Sequence, residues 1–487
     1  MILFTEFTTF INTPPFTNFV HKKLFNTMTK TIVVIGAGIS GLTTAYLLSQ
    51  KGFDVRILER KSEVGGSIES VRENGFLFDR GPNSALETTP VISKLVNELN
   101  LNDDLIYANK AANKRYILRN NELHALPMSP PALLKTKLFS GKAKIRLLAE
   151  PFIGRSDDGY YQSLAEFVKR RLGQEFLDYA INPFVAGVYA GRPEDLSVKS
   201  AFPKLYALEE NYGGLIIGTI RSIRERKKRA EKSKQSAKML SFKSGMIALP
   251  KAIEKYFGNK VVLSAEVTSI DKTSDGYIVS YKHNGIDEAI VCDAVLSTVP
   301  AYIASDLFSK FNAKFKIHSD TIYYPPVLVY FLAYEKKNVG QPLDGFGFLI
   351  PEKEKKSFLG ALWSSVIFPF RADDNFATFT LFIGGSRYPD FVKEDRNKLL
   401  DKVREEFEEI MKINGEPVYA SHRFWERAIP QYNIGYIEHE RFFDEFEKQN
   451  PGLFISGNFR GGISVGDCIK NAELVANKVN EQLKMNN

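Results

Sequence analysis

Two glycine-rich turns bracket this chain and constrain its fold more than any other feature. The first is Gly36-Ala37-Gly38-Ile39-Ser40-Gly41 and the second is Gly457-Asn458-Phe459-Arg460-Gly461-Gly462. The first follows an apolar, β-branched run, Thr31-Ile32-Val33-Val34-Ile35, and opens an apolar helical pattern. Strand, tight turn and helix start in that order predict a dinucleotide-binding βαβ unit. Gly36 permits the turn, Gly38 lets backbone N–H groups approach a pyrophosphate at the helix N-terminus, and Gly41 lets helix and strand pack closely. Gly52 then stops the helix, Val55-Arg56-Ile57-Leu58 reads as a second strand, and Glu59 ends it. That carboxylate stands about 20 residues past the glycines, where one accepts hydrogen bonds from a ribose 2′-OH.

Close behind Glu59 comes a glycine pair, in Arg60-Lys61-Ser62-Glu63-Val64-Gly65-Gly66-Ser67. Alone, the pair reads equally well as a surface turn. Taken with the distant C-terminal turn, it resembles the flavoproteins of the amine oxidase and phytoene desaturase superfamily, which sets a flavin above a nicotinamide. Leu453-Phe454-Ile455-Ser456 reads as a strand, and from Ser464 onward Val465, Cys468, Ile469, Ala472, Val475, Ala476 and Val479 recur at helical spacing. A helix N-terminus therefore follows a glycine-rich loop for a second time. The resemblance implies that this positive end faces the pyrimidine edge of the isoalloxazine, where it stabilises reduced flavin. Asp467 in the first turn also suits the helix dipole, and plain capping gives the same residue.

At 487 residues the chain has room for two or three domains with real cores, and 44% hydrophobic residues mark a globular protein. No run approaches the roughly 20 apolar residues of a bilayer-spanning helix. The two cysteines, Cys292 and Cys468, each lie in an apolar stretch, which supports no disulfide framework and favours a reducing compartment. His21, His124, His283, His318, His422 and His439 are scattered without metal-ligand spacing, so no metal is expected. Part of the net charge of +8 is concentrated between Arg221 and Lys238, through Arg224, Arg226, Lys227, Lys228, Arg229, Lys232 and Lys234. That stretch reads as a solvated or disordered loop, with contact to anionic lipid as a second role. No nucleic-acid module accompanies it, so no nucleic-acid partner is expected. Residues 1–27 lack both Arg and a charged start ahead of a continuous apolar core, and read as a dispensable tail with Met28 as a candidate first residue.

After a tail at 1–28, three separated segments are expected to build the nucleotide-binding domain: 29–105, 240–300 and 421–487. In the second, Val261-Val262-Leu263, Val267-Thr268-Ser269-Ile270, a Ser274-Asp275-Gly276 turn, Tyr277-Ile278-Val279-Ser280-Tyr281 and Ala294-Val295-Leu296-Ser297 alternate as strands and turns. The insert 106–239 is mostly helical in pattern. The insert 301–420 carries strand runs at 327–332 and 378–383 and reads as a substrate-binding sheet that roofs the flavin. Within the helical insert, Leu133, Leu134, Leu138, Phe139, Ile145, Leu147 and Leu148 interleave with Lys135, Lys137, Lys142, Lys144 and Arg146 and no acidic residue. Such a mixture suits an anionic membrane surface, and equally an amphipathic segment on the protein's own core. The fold expected is α/β: a Rossmann-like FAD-binding domain of the amine oxidase type, a mixed-sheet substrate domain and a helical, membrane-associating insert.

Six further segments carry a narrower resemblance. They are Arg80-Gly81-Pro82-Asn83-Ser84, Phe184-Val185-Ala186-Gly187-Val188-Tyr189-Ala190-Gly191, Ala201-Phe202-Pro203, Tyr324-Pro325-Pro326, Ala428-Ile429-Pro430-Gln431-Tyr432 and Gly461-Gly462-Ile463-Ser464-Val465-Gly466-Asp467-Cys468. In this order they resemble the protoporphyrinogen oxidase family, oxygen-dependent flavoenzymes of haem synthesis, from about Lys30 to the end. The resemblance implies that a porphyrinogen loses six hydrogens in three two-electron steps, with hydride passing to non-covalent FAD and oxygen reoxidising it to give peroxide. The flavin supplies the chemistry and the protein binds, orients and excludes water, so no catalytic residue beyond the flavin is implied. FAD contacts are implied at Gly36, Gly38, Ile39, Ser40, Gly41, Glu59, Arg60, Gly65, Gly66, Ser67, Gly81, Pro82, Asn83, Val267, Gly457, Ile463, Ser464 and Val465. Ser67 stands where the family often has a basic residue.

On the substrate side the resemblance implies Arg115 as the propionate anchor, Leu349 and Phe368 as walls, Gly187 as a point of close backbone approach and Asn83 as a polar contact. Each has a plainer reading: a surface Arg beside Lys114 and Arg119, two core side chains, a turn glycine and a turn-stabilising Asn. The partners implied are a porphyrinogen, molecular oxygen and a membrane surface touched from the cytoplasmic side, with a homodimer left open. Coproporphyrinogen III, which has four carboxylates, is the alternative substrate. A flavin-binding membrane protein without turnover is the alternative class.

Overall fold

A computed structural model describes residues 29–229 and 237–485. The tail at 1–28 and the stretch 230–236, with Lys232 and Lys234, lie outside the described residues.

The strand Thr31–Ile35 sits at the centre of a five-stranded parallel sheet, in the order Val261–Val262, Asp54–Leu58, Thr31–Ile35, Ala294–Ser297, Leu453–Ile455. Its unbroken β-branched run is what a strand covered on both faces requires. Ile32 and Val34 enter one apolar cluster, and Val33 and Ile35 enter another. The first cluster is roofed by the helices Ile39–Ser49 and Val465–Met485, which pack against each other although they lie at opposite ends of the chain. Under the second lie an antiparallel meander, Ala265–Lys272, Tyr277–His283 and Ile286–Cys292, and the helices Ala301–Phe308 and Ile437–Gln449. The chain leaves the central strand for neighbours on opposite sides, so the glycine turn after Ile35 occupies the switch point where open α/β sheets bind ligands.

A seven-stranded mixed sheet forms the second layer, in the order Tyr419–Trp425, Val327–Glu335, Phe376–Gly384, Gly360–Leu362, Gly345–Leu349, Lys114–Arg119, Glu122–Ala125. One face is closed by the helix Arg396–Met411, through Leu399, Leu400, Val403, Phe407, Ile410 and Met411. The opposite face of Val327–Glu335 turns Val327 and Val329 toward Ala186 and Ala190, and Phe331 and Ala333 toward Phe76 and Phe78. The sheet thus meets both the helix Asn182–Tyr189 and the nucleotide-binding part.

Two boundaries and one element differ from those read in the sequence. The segment 106–239 opens with Leu105–Tyr107, Lys114–Arg119 and Glu122–Ala125, and the last two join the large sheet before the helices begin. Tyr419–Trp425 extends that sheet past 420. The basic stretch expected as a loop is helical through Arg229, within Leu215–Arg229. Lys, Arg and Glu are good helix formers, so scarce apolar content does not break a helix. This helix start is fixed by Glu150, which is fully buried and accepts from the N–H groups of Leu215 (2.7 Å) and Ile216 (3.0 Å).

Candidate functional site

The first glycine turn supplies the floor of the site. Gly36 holds φ at +101° while its N–H donates to Leu58 O at 2.8 Å, a backbone geometry that disfavours any side chain. A Cβ on Gly41 would overlap the carbonyl oxygen of Gly36. Over Gly38 the space is open: a Cβ there meets nothing nearer than Gly66 Cα at 4.0 Å. The helix Ile39–Ser49 has Gly38 as its N-cap, no side chain capping it and no acidic residue in its first turn. Its first N–H groups, at Ile39 and Ser40 among them, keep their capacity for an anion. Open room above an uncapped helix start is the form a pyrophosphate fits.

Glu59, 8% exposed, is locked to that turn: Oε2 accepts from Ala37 N–H at 2.7 Å and Oε1 from Lys61 N–H at 2.9 Å. Each carboxylate oxygen retains a lone pair for a ribose hydroxyl. Gly65 forms a bridge to Gly38 and donates to Ala37 O at 2.8 Å, which brings the glycine pair against the phosphate turn. Lys61 Nζ donates to Gly66 O at 2.9 Å, while Arg60 and Ser67 are exposed. Val267 lies half-buried beside a bulge in Ala265–Lys272, a strand tied to the same region by Ala265 N–H donating to Glu59 O.

The loop after the strand Phe76–Asp79 is pressed on the glycine pair, since a Cβ on Gly81 would overlap Ser67 O. Pro82 follows, half-buried. Asn83 Nδ2 donates to Gly81 O at 3.1 Å, so its amide also stabilises the turn.

The C-terminal turn is held by an aromatic. Tyr432 Oη donates to Asn458 O at 2.8 Å and accepts from Gly462 N–H at 3.0 Å. Gln431 Nε2 donates to Tyr189 O at 2.8 Å. The Pro-Gln-Tyr and Gly-Val-Tyr-Ala-Gly segments therefore meet, although 240 residues or so of chain separate them. Gly457 takes φ +132°, Ile463 is half-buried and Val465 is buried. Ser464 Oγ accepts from Asp467 N–H at 3.1 Å and donates to Asp467 Oδ2 at 2.7 Å. Ser464 and Asp467 thus cap the second helix, which leaves the N–H groups nearer its tip for a ligand.

On the other side of the site, Arg115 is exposed, with its guanidinium 5.2 Å from the Phe346 ring centroid and no ion-pair partner among the described residues. Its strand runs parallel to Gly345–Leu349, with Arg115 opposite Gly347 and Ile117 opposite Leu349. Leu349 and Gly187 touch: a Cβ on Gly187 would come within 2.5 Å of Leu349 Cδ2. Gly187 is itself exposed, and Leu349 packs beside it on the side where a Cβ would stand. Phe368 lies deeper. It is 2% exposed and packed with Ala112 and Ile367. Apolar surface is also presented by Phe184 and Val188, 44% and 40% exposed on the helix Asn182–Tyr189. The sequence analysis missed them, although both stand in the Phe-Val-Ala-Gly-Val-Tyr motif.

Known proteins bear on this geometry. The profile of flavin-containing amine oxidoreductases matches residues 39–480. Protoporphyrinogen oxidase 2 of Arabidopsis thaliana is 34% identical over 92% of this chain and 94% of its own length. The chain belongs to the protoporphyrinogen oxidase family of flavin-containing amine oxidoreductases. Coproporphyrinogen III oxidase of Bacillus subtilis is 27% identical over 90% of this chain and 96% of its own. A crystal structure from Exiguobacterium sp. shares the fold, with a TM-score of 0.76 at 21% identity over 93% of this chain and 99% of that one. The protein is an FAD-dependent oxidase. FAD fits the residues present: the open space over Gly38, the uncapped first helix and Glu59 held beside it suit a dinucleotide.

Proposed function

We propose that this enzyme oxidises protoporphyrinogen IX to protoporphyrin IX, with molecular oxygen as the final acceptor. Bound FAD supplies hydride acceptance from the substrate and electron transfer to oxygen, with hydrogen peroxide as product. The chain's own part is to hold, orient and dry the macrocycle. Gly38, Ile39 and Ser40 hold the pyrophosphate through backbone N–H groups, and Glu59 holds the ribose. Phe184, Val188 and Leu349 offer an apolar surface to the tetrapyrrole.

The observation that carries the substrate is the state of three neighbouring cations. Lys114 pairs with Asp344 at 2.5 Å and Arg119 with Glu175 at 2.6 Å. Arg115 between them has no carboxylate among the described residues and rests on an aromatic face. One uncommitted guanidinium suits one pair of adjacent propionates. The name of the Bacillus subtilis relative supports coproporphyrinogen III as a second reading, but four carboxylates call for more free cations than this strand presents.

The test is aerobic turnover of both porphyrinogens, followed by porphyrin fluorescence and peroxide. We expect a higher kcat/KM for protoporphyrinogen IX. Arg115→Ala should raise KM with flavin content intact, a loss of about 1.5–3 kcal/mol for a charge-assisted bond. A preference for coproporphyrinogen III overturns the substrate, unaltered kinetics in Arg115→Ala overturn the anchor, and no turnover of either by flavin-loaded protein favours the non-catalytic class.

The same proposal places the enzyme in the cytoplasm, peripheral to a membrane. Among the described residues no helix is long and apolar enough to cross one. The mixed apolar and basic segment divides cleanly. Leu138 and Phe139 are 0% and 3% exposed and pack on Phe176, whereas Leu134, Ile145 and Leu148 are 71–72% exposed and Phe152 is 89% exposed. Lys135, Lys137 and Lys142 are exposed around them. Apolar surface ringed by exposed cations suits anionic lipid. Sedimentation with anionic liposomes should weaken when Ile145 and Leu148 are replaced by Ser, and equal sedimentation of variant and wild type would remove the segment from the proposal.

A further inference from the structure

Arg371 is buried where the two layers of the molecule meet, and nothing in the reaction described so far uses it. It is 2% exposed and closes the turn Pro369–Arg371, directly after Phe368. Its Nη2 lies 2.6 Å from Asp79 Oδ2 and donates to Ser241 Oγ at 2.8 Å and to Asn83 O at 3.4 Å. Its guanidinium carbon stands 5.5 Å from the Phe368 ring centroid. Asp79 in turn accepts from Ser70 Oγ and from Met246 N–H at 3.1 Å.

These partners belong to the nucleotide-binding part, whereas Arg371 belongs to the connection between strands of the substrate sheet. Asp79 ends the strand that leads into Gly81-Pro82-Asn83, and Ser241 lies in Met239–Phe242, which pairs with Ala85–Leu86 just beyond that loop. The loop presses Gly81 on Ser67, and Gly66 next to Ser67 abuts Gly38 over the phosphate turn. On the other side, Phe368 shares its apolar cluster with Phe346, the ring beneath Arg115. A contiguous set of contacts therefore runs from the phosphate turn through Arg371 to the platform of the propionate anchor.

We propose that Arg371 is a positioning residue: its guanidinium, ion-paired with Asp79 and hydrogen-bonded to Ser241 and the Asn83 carbonyl, fixes the flavin-side loop against the substrate sheet and so sets the separation across which hydride moves. The contacts gather on Nη2, an ion pair with Asp79 and hydrogen bonds to Ser241 and Asn83, and a planar guanidinium aims them in directions that a lysine ammonium does not reproduce. This inference rests on the substrate reading above.

The experiment compares flavin-loaded wild type with Arg371→Lys and with the double variant Asp79→Asn/Arg371→Gln, which removes the buried charges together and keeps the fold testable if the lysine variant is unstable. Three quantities are read: FAD affinity by titration of apoprotein, the visible spectrum of the bound flavin, and its anaerobic reduction by protoporphyrinogen IX in stopped flow. We expect FAD affinity and KM to move by less than about threefold, the flavin absorption to shift, and the limiting reduction rate to fall by about a hundredfold, the scale of a misplacement near 1 Å. A wild-type reduction rate per bound flavin in either variant overturns the inference, including when flavin is partly lost, since a residue that merely holds the fold would change occupancy and not that rate. If the porphyrinogen fails to reduce wild-type enzyme, the substrate reading falls and the flavin spectrum decides: an unshifted spectrum in both variants then overturns the positioning role.

Discussion

Gly38 and Gly41 lie within one turn of helix, yet the structure asks different things of them. A Cβ on Gly41 collides with backbone, the carbonyl of Gly36, and also comes within 2.5 Å of Thr298 Oγ1. A Cβ on Gly38 collides with nothing and enters the space proposed for the pyrophosphate. Gly41→Ala should therefore fail to yield soluble, folded protein. Gly38→Ala should melt as cooperatively as the wild-type apoprotein and bind FAD weakly, by about tenfold or more if one close backbone contact to phosphate is lost, since each 1.4 kcal/mol is tenfold. Titration of both apoproteins with FAD checks this, and tight binding by Gly38→Ala would contradict the phosphate role. At this scale the sequence shows where a residue with no side chain stands, and leaves out what the fold packs beside it. The glycine at 187 looks the same on paper as that at 38, but its neighbour is Leu349, which only the fold brings there. Phe368 is read as a ring wall from its local motif, and the motif carries no record of its burial against Ala112 and Ile367.

Among the elements, strands and helices with strong periodicity stand where the sequence places them, from Thr31–Ile35 to Val465–Met485. The elements that differ depend on distant partners. Lys114–Arg119 is a strand because Gly345–Leu349 lies parallel to it, more than 200 residues on, a pairing no local pattern announces. The helix Leu215–Arg229 begins where Glu150 caps it, and Glu150 is buried only because Arg171, itself 0% exposed, pairs with it at 3.0 Å and with Glu209. One inter-helix contact gives a pH prediction. His318 on Lys314–Asp320 and His439 on Ile437–Gln449 bring their Nδ1 atoms to 3.2 Å, so at least one ring must be neutral. Burial first, and then His318, pushes His439 down to about 4, with Glu438 opposing; burial also lowers His318. An unfolded histidine titrates near 6.5, so the unfolded chain takes up the proton first. Stability is then full above pH ~6.5 and is lost as the pH falls toward 4. Thermal midpoints measured across that window should fall more steeply for wild type than for His439→Gln, and identical slopes would show that the pair does not titrate on unfolding.

In the whole molecule, the segments proposed to hold the flavin lie far apart in the chain: the turns at 36–41 and 65–67, the loop at 81–83, the bulged strand around Val267 and the turn at 457–465. A ligand gripped by all of them binds the folded state alone, because the unfolded chain scatters its parts. Binding then stabilises by RT ln(1 + [FAD]/Kd), about 2.7 kcal/mol at a hundredfold excess over Kd. Covalent attachment has no support in the thiols. Cys468 and Cys292 are both buried, and burial pushes them up to about 11 and about 12, which leaves them protonated and unreactive near neutrality. The protein should therefore be yellow as isolated, give a colourless pellet and a yellow supernatant on acid precipitation, and show a lower thermal midpoint as apoprotein. Adding FAD back should raise that midpoint continuously with concentration. A midpoint independent of added FAD, or colour that stays with the precipitated protein, would mean that the flavin is not held as a reversible ligand spanning these five segments.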